Sequence, residues 1–150
     1  MQNWKIDHLV IAVHDLEKSK NLFSTILKGK FIKEVDLPEQ NVRAAYYSFG
    51  ELIIGLETPL SDDGDVFRFL KRKGEGIHHI AFQTDELEEL QNKLSENEIK
   101  TIGYGEKEGI KKELFTHPKS SLGVLLQLIE WEEPYKTSYQ KRLEILGEEK

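Results

Sequence analysis

The feature that most constrains the fold of this chain is an internal repeat. The segment IDHLVIAVHDLEKS (6–19) aligns with IHHIAFQTDELEEL (77–90) at an offset of 71 residues, so that His8 falls on His79. Both segments have the pattern of a buried strand followed by an amphipathic helix. Self-similarity at a fixed offset predicts two copies of one structural unit.

The residues that follow the repeated segments also match in kind. Asp15 and Asp85 are each predicted to cap a helix, because aspartate accepts the free N–H groups of a first turn. Three strand-like runs follow in each half: KFIKEVDL, NVRAAYYSF and ELIIGLET in the first, and EIKTIG, KKELFTHP and GVLLQLIE in the second. The predicted order is therefore β-α-β-β-β, twice.

These elements predict an α+β fold built from two paired β-α-β-β-β modules. The connection between them is expected to contain a short helix near residues 66–72. The predicted boundaries are a domain over 1–131, made of module one (4–60), a linker (61–75) and module two (76–131), and a charged C-terminal tail over 132–150.

Composition excludes several classes of function. The 150 residues are 38% hydrophobic and 32% charged, and no apolar run approaches the roughly 20 residues of a membrane helix. The net charge of −6 disfavours nucleic acid as a partner. Cysteine is absent, which excludes disulfides and thiolate chemistry. Charge near the N-terminus argues against a signal peptide, and we expect a cytoplasmic protein that binds neither nucleic acid nor membrane.

Two adjacent histidines, His78 and His79, lie in the first strand of module two. Successive strand residues point to opposite faces, so the two side chains have different environments. His79 shares its face with Ala81, a small residue that leaves room, and His8 occupies the equivalent place in module one. His78 shares its face with Phe82 and is predicted to pack against a helix. A cavity is therefore expected on the side of His79.

These features resemble the vicinal oxygen chelate superfamily, which includes glyoxalase I, extradiol dioxygenases and fosfomycin-resistance proteins. The branch that the chain resembles most is methylmalonyl-CoA epimerase. The resemblance covers roughly residues 4–131 and is carried by IDHLVIAV (6–13), LPEQNV (37–42), FLKRKGEGIHHIAF (69–82) and HPKSSLGVLLQL (117–128). It implies that the two modules form a cup-shaped mixed sheet around one site.

The resemblance also implies one divalent metal ion, such as Co, Zn, Ni or Mn. The histidine on the first strand of each module matches His8 and His79, and Gln127 falls where a Glu or Gln ligand is expected. The fourth ligand position falls on Gly55, which has no side chain to offer. Glu57 lies two residues further on, and it could replace that ligand only if the strand slipped or the carboxylate reached back.

A second departure concerns the catalytic base. The resemblance places a catalytic glutamate on the third strand at the position held here by Ala44. Gln127 cannot act as a base, because an amide does not take up a proton near neutral pH. Glu57 is the nearby carboxylate that we nominate as a catalytic residue, and Gln127 is predicted to serve the reaction as a ligand.

The resemblance implies a metal-dependent epimerase that transfers a proton next to a (thio)ester carbonyl through a metal-stabilised enolate. One alternative is a lyase or isomerase similar to glyoxalase I. Another is a non-catalytic protein of the same fold that binds or sequesters a small molecule, which the missing glutamates would suit. Enzyme and binding protein differ in whether a stoichiometric divalent metal is bound.

An acyl-CoA is the expected substrate, and a homodimer is the expected assembly. Lys119 and Arg43 are candidates for binding the substrate. His14 is interpreted as a surface or capping residue, and His117 either stabilises a turn or borders the site. Three tyrosines are further candidates to line a pocket: Tyr46, Tyr47 and Tyr104.

Overall fold

The computed structural model describes residues 4–103 and 107–147, and these show the predicted β-α-β-β-β order twice. Contacts between Cα atoms divide the chain into two compact units. The first unit is His8–His78, and the second combines Met1–Asp7 with His79–Lys150. Tyr104 lies outside the described residues.

The first unit contains a four-stranded mixed sheet with strand order β2-β3-β4-β1. Strands β1 and β4 are parallel, and the other neighbouring strands are antiparallel. A π-helical turn over Leu22–Ile26 continues the first helix. The elements are β1 (Lys5–Ala12), α1 (Leu16–Asn21), β2 (Lys30–Leu37), β3 (Val42–Phe49), β4 (Leu52–Pro59) and α2 (Gly64–Lys73).

The second unit repeats this plan with strand order β5-β8-β7-β6. Strands β5 and β8 are parallel, and β8, β7 and β6 pair in antiparallel fashion. The elements are β5 (Gly76–Gln83), α3 (Leu87–Glu96), β6 (Thr101–Gly103), β7 (Ile110–Thr116), a 3-10 helix (Pro118–Ser120), β8 (Leu125–Trp131) and α4 (Tyr139–Glu144). The prediction of an α+β fold with two paired modules is confirmed.

One face of each sheet is covered by the helix of its own unit. In the first unit Leu16 and Phe23 pack on Tyr47 and other residues of β3 and β4. In the second unit Leu87 packs on Leu114 and Leu128. Burying a side chain of this size stabilises the fold by about 1.5–3 kcal/mol, so these clusters fix which face of each strand is internal. The opposite face of each sheet carries His8 or His79.

The starts of the two repeated helices differ. Asp15 is the N-cap of α1, as predicted, and its Oδ1 accepts a hydrogen bond from the Lys18 N–H at 3.0 Å. The prediction for Asp85 is wrong, because α3 begins after Glu86, whose side chain makes no capping bond. Asp85 instead forms an ion pair with Lys136 at 3.3 Å.

The segment predicted as a charged tail contains a short helix that packs within the second unit. Arg142 of α4 is only 9% exposed, and its Nε lies 3.7 Å from Asp7 Oδ1. The same carboxylate oxygen accepts a hydrogen bond from Trp131 Nε1 at 2.9 Å. Among the helices of residues 4–103 and 107–147, none has the length and apolarity needed to cross a bilayer.

The helix cap provides a direct test of this part of the fold. We expect Asp15→Ala to lower the free energy of unfolding by about 1 kcal/mol, because the Lys18 N–H loses its acceptor. Asp85→Ala is the matched control and should cost about 0.5 kcal/mol, as for a partly exposed ion pair. Urea unfolding of both variants measures the difference, and equal losses would contradict the assigned caps.

Candidate functional site

On the face of the first sheet opposite the helix cluster, a buried carboxylate lies between two alanines. Strand pairing aligns Ala12 of β1 and Ala44 of β3 with Glu57 of β4, and it places His8 on the same face, opposite Ile53. Both alanines are fully buried, and Glu57 is 4% exposed. Glu57 is thus flanked by an alanine on each neighbouring strand.

Gly55 is required by the packing of an aromatic ring. A Cβ atom at Gly55 would lie 3.0 Å from Tyr46 Cε1 and 3.4 Å from Val10 Cγ2. Tyr46 is the cross-strand partner of Gly55 and is 6% exposed. The ring therefore occupies the place that a ligating side chain at position 55 would use.

The register of β3 against β4 keeps Glu57 two residues away from the position of Gly55 along β4. The register runs without interruption from Val42 opposite Pro59 to Phe49 opposite Leu52. The strand slip that would bring Glu57 to the position of Gly55 is therefore not observed. The carboxylate of Glu57 is instead the direct neighbour of Ala44 on the same face.

The face of the second sheet opposite its helix cluster carries His79 and Gln127. Pairing of β5 with β8 aligns Ala81 with Gln127 and His79 with Leu125, which puts all four side chains on one face. Phe115 of β7 lies opposite Gln127, and its ring centroid is 6.4 Å from that of His79. Gln127 is 5% exposed, so its amide needs polar partners.

One of those partners is a residue that the sequence analysis did not single out. Gln127 Nε2 donates a hydrogen bond to Glu113 Oε1 on β7, and Lys107 Nζ lies 3.2 Å from the same oxygen. The other oxygen, Oε2, is buried and has no hydrogen-bond partner among residues 4–103 and 107–147. Alternation along the strand KKELFT places Glu113 on the same face as Phe115. The sequence does not show that this face meets Gln127, because Gln127 lies on another strand.

Two of the remaining histidines, His78 and His117, make side-chain contacts within the fold. The His78 ring packs edge-on against Phe69 of α2 with centroids 5.2 Å apart, and this burial lowers the pKa of His78. Its predicted orientation towards a helix is confirmed. His117 Nδ1 accepts a hydrogen bond from the Lys119 N–H at 3.2 Å and so stabilises the turn. The His14 side chain is exposed.

The two proposed substrate-binding residues stay predictions. Arg43 lies on the opposite face of β3 from Ala44 and binds both carboxylate oxygens of Asp36, at 2.6 and 3.0 Å. This pairing lowers the pKa of Asp36. Lys119 lies in the exposed turn after β7. A substrate phosphate at Arg43 would have to compete with Asp36.

The candidate tyrosines separate by strand parity. Tyr46 lies on the face of Gly55, whereas Tyr47 belongs to the cluster under α1 and its hydroxyl is 2.8 Å from Ser24 Oγ. An open cavity of about 440 Å³ lies elsewhere in the first unit and includes Thr58 and Phe67 among its lining residues. Thr58 follows Glu57, so it faces the other side of β4 and the cavity is distinct from the face of Glu57.

The side chains on these two sheet faces include groups that can ligate a divalent metal ion. His8 and Glu57 share one face in the first unit, and His79 and Gln127 share one in the second. Imidazole nitrogens, carboxylates and amide oxygens are all common ligands of divalent ions. In the described part of the chain, no group of three or more His, Cys, Asp or Glu side chains is placed to hold a metal by itself.

Comparison with known proteins identifies the family. A sequence profile of the Glyoxalase/Bleomycin resistance protein/Dioxygenase superfamily matches residues 7–116. The chain belongs to this superfamily. The match spans most of the chain and includes the repeated strand and helix segments of both modules.

Several superfamily relatives are similar over most of the chain. An uncharacterized protein of Bacillus subtilis is 33% identical over 128 residues, which cover 84% of this chain and 91% of the relative. The mitochondrial methylmalonyl-CoA epimerase of Homo sapiens is 33% identical over 127 residues, covering 83% and 72%. A solved structure of methylmalonyl-CoA epimerase in complex with methylmalonyl-CoA and NH4+ has a TM-score of 0.71 at 26% identity, covering 86% and 95%.

The packing at Gly55 can be tested in this superfamily member. We expect Gly55→Gln to lower the free energy of unfolding by about 1–3 kcal/mol, because the new side chain must displace the Tyr46 ring. Gly76→Gln is the control, since a Cβ atom at Gly76 meets nothing within 4 Å. Urea unfolding compares the two variants, and an equal effect would show that Tyr46 does not restrict position 55.

Proposed function

We propose that this protein is an epimerase of a 2-substituted acyl-CoA thioester, with methylmalonyl-CoA as the nearest known substrate. The reaction would remove the proton from the carbon next to the thioester carbonyl and return a proton on the opposite face. The relatives that carry a functional name are methylmalonyl-CoA epimerases, at 30–33% identity. The observation that supports the proposal within this chain is the position of Glu57.

Glu57 can supply the base that the resemblance expects at Ala44. Side chains directly opposite each other on neighbouring strands have Cβ atoms about 4.5–5.5 Å apart. A glutamate on β4 can therefore reach the region that a glutamate at position 44 would use, because Ala44 is its direct cross-strand neighbour on the same face. A carboxylate placed in a buried setting of this kind is suited to take up and return a proton.

The metal part of the proposal rests on the repeated histidines. His8 and His79 would provide imidazole ligands, and Gln127 would provide its amide oxygen. A divalent ion bound there would supply a Lewis acid that draws electron density from the carbonyl oxygen and makes the neighbouring carbon more acidic. The protein's own contribution is to hold the thioester near Glu57 and to exclude water from it.

The role of Glu57 predicts a large effect on proton exchange. We expect Glu57→Gln to slow deuterium exchange at carbon 2 of methylmalonyl-CoA by about 100-fold or more, because the amide cannot take up the proton. Glu34→Gln is the matched control on the opposite face of the same sheet, where Glu34 pairs with Lys20 at 2.8 Å. Exchange is followed by mass spectrometry, and equal rates in both variants would remove Glu57 from the mechanism.

Moving the carboxylate across the strands tests the same role by rescue. In the variant Ala44→Glu/Glu57→Gln the carboxylate stays on the same face and is displaced by one strand. We expect deuterium exchange to be at least 10-fold faster in this double variant than in Glu57→Gln, because a general base must lie within hydrogen-bond distance of the proton it removes. Circular dichroism establishes that the double variant is folded. A folded double variant with no recovery would argue against a shared position for the base.

Metal binding is predicted to depend on both repeated histidines. Wild-type protein should bind close to one Co(II) per chain, and His8→Ala/His79→Ala should lose it, because two ligands are removed. His14→Ala/His117→Ala is the control, since these histidines are exposed. Titration followed by visible absorption measures binding. Folded wild type without metal would instead favour the non-catalytic binding protein, and metal binding with turnover of a hemithioacetal alone would favour the glyoxalase-like isomerase.

A further inference from the structure

The contact between Gln127 and Glu113 fixes which end of the amide points where. A carboxylate can only accept hydrogen bonds, so the amide must present its NH2 group to Glu113. Nε2 is the atom that donates to Glu113 Oε1. The carbonyl oxygen of Gln127 is therefore turned away from Glu113, and rotation of the amide by half a turn would set two acceptors against each other.

The strand register shows on which sides of Gln127 the residues Glu113 and His79 lie along β8. Glu113 lies opposite Ile129, and His79 lies opposite Leu125. These two positions on β8 are two residues after and two residues before Gln127, on the same face of the strand. Glu113 thus contacts the amide nitrogen from one side along β8, and His79 lies towards the other side.

The energetic cost of Glu113 indicates a role beyond support of the fold. The Glu113 side chain is 1% exposed, and the side chain of Lys107, which pairs with it, is 32% exposed. Both Lys107 and Gln127 contact Oε1, and buried Oε2 has no partner within the described ranges. A buried carboxylate oxygen without a hydrogen bond lowers the stability of the fold, so an apolar pair at these positions would make a more stable sheet.

We propose that Glu113 is a positioning residue that orients the Gln127 amide so that its oxygen is offered as a metal ligand on the His79 side. The inference rests on the ligand role of Gln127 in the proposed function. A glutamine ligand has one suitable atom, whereas a glutamate at position 127 would have two equivalent oxygens and would need no such orientation. Glutamine at position 127 therefore needs a partner that fixes its orientation, and Glu113 is that partner.

The test is Co(II) affinity in a pair of variants, measured by visible absorption. Glu113→Gln removes the acceptor-only partner, since the new amide can donate or accept and no longer fixes the orientation of Gln127. We expect a loss of about 10-fold or more in affinity, as for other residues that orient metal ligands. In Glu113→Gln/Gln127→Glu the hydrogen bond is kept with donor and acceptor exchanged, and the ligand needs no orientation. We expect this double variant to bind Co(II) at least 10-fold more tightly than Glu113→Gln, because either oxygen of the new carboxylate can ligate the ion.

The controls separate this role from a structural one. Glu130→Gln lies on the other face of β8, where Glu130 pairs with Lys111 at 3.8 Å, and it should bind Co(II) as wild type does. Thermal unfolding establishes that each variant is folded. Wild-type affinity in Glu113→Gln, or a double variant as weak as the single one, overturns the positioning role. Deuterium exchange by wild type is measured separately, so a working epimerase with unchanged affinity in Glu113→Gln refutes only this inference, whereas wild type without Co(II) binding refutes the metal ligands as well.

Discussion

The covering of one sheet face by a helix in each unit is the constraint on which the rest of the structure depends. The clusters built around Tyr47 and Leu56 in the first unit and around Leu87 in the second fix which face of every strand is internal. A strand side chain has only two directions available, so each residue of the opposite face is fixed at the same time. His8, Glu57, His79 and Gln127 face away from the helices because their neighbours in sequence face towards them.

A sheet allows a functional group to move between strands without a change of fold. The position where the resemblance expects a catalytic glutamate is Ala44, and the carboxylate is found on its direct cross-strand neighbour, Glu57. The resemblance also expects a carboxylate where Gln127 stands, and Glu113 on the next strand contacts the Gln127 amide. Same-face side chains on adjacent strands lie within reach of each other, which makes such replacements sterically possible.

Gly55 shows how packing restricts a position at which the resemblance expects a ligand. Glycine in the interior of a strand lowers stability unless another group fills the space. The Tyr46 ring fills it, and the close approach of that ring excludes even a Cβ atom at normal contact distance. The absence of a ligand at this position is thus tied to a local aromatic packing, and the same packing covers the backbone of β4.

The sequence was enough to predict the order and type of the elements in the two modules and the face on which their strand residues lie, but it did not predict helix α4 in the C-terminal tail. The 71-residue repeat predicted both modules, and strand alternation predicted that His78 packs towards a helix and that His79 faces the other way. Only the tertiary structure decided which residues are neighbours across strands: Glu57 with Ala44, Tyr46 with Gly55, and Glu113 with Gln127. Alternation specifies the face but not the register, because register is set by pairing between segments distant in sequence. For the same reason the start of α3 after Glu86 was missed, since Asp85 pairs with Lys136 from a distant part of the chain.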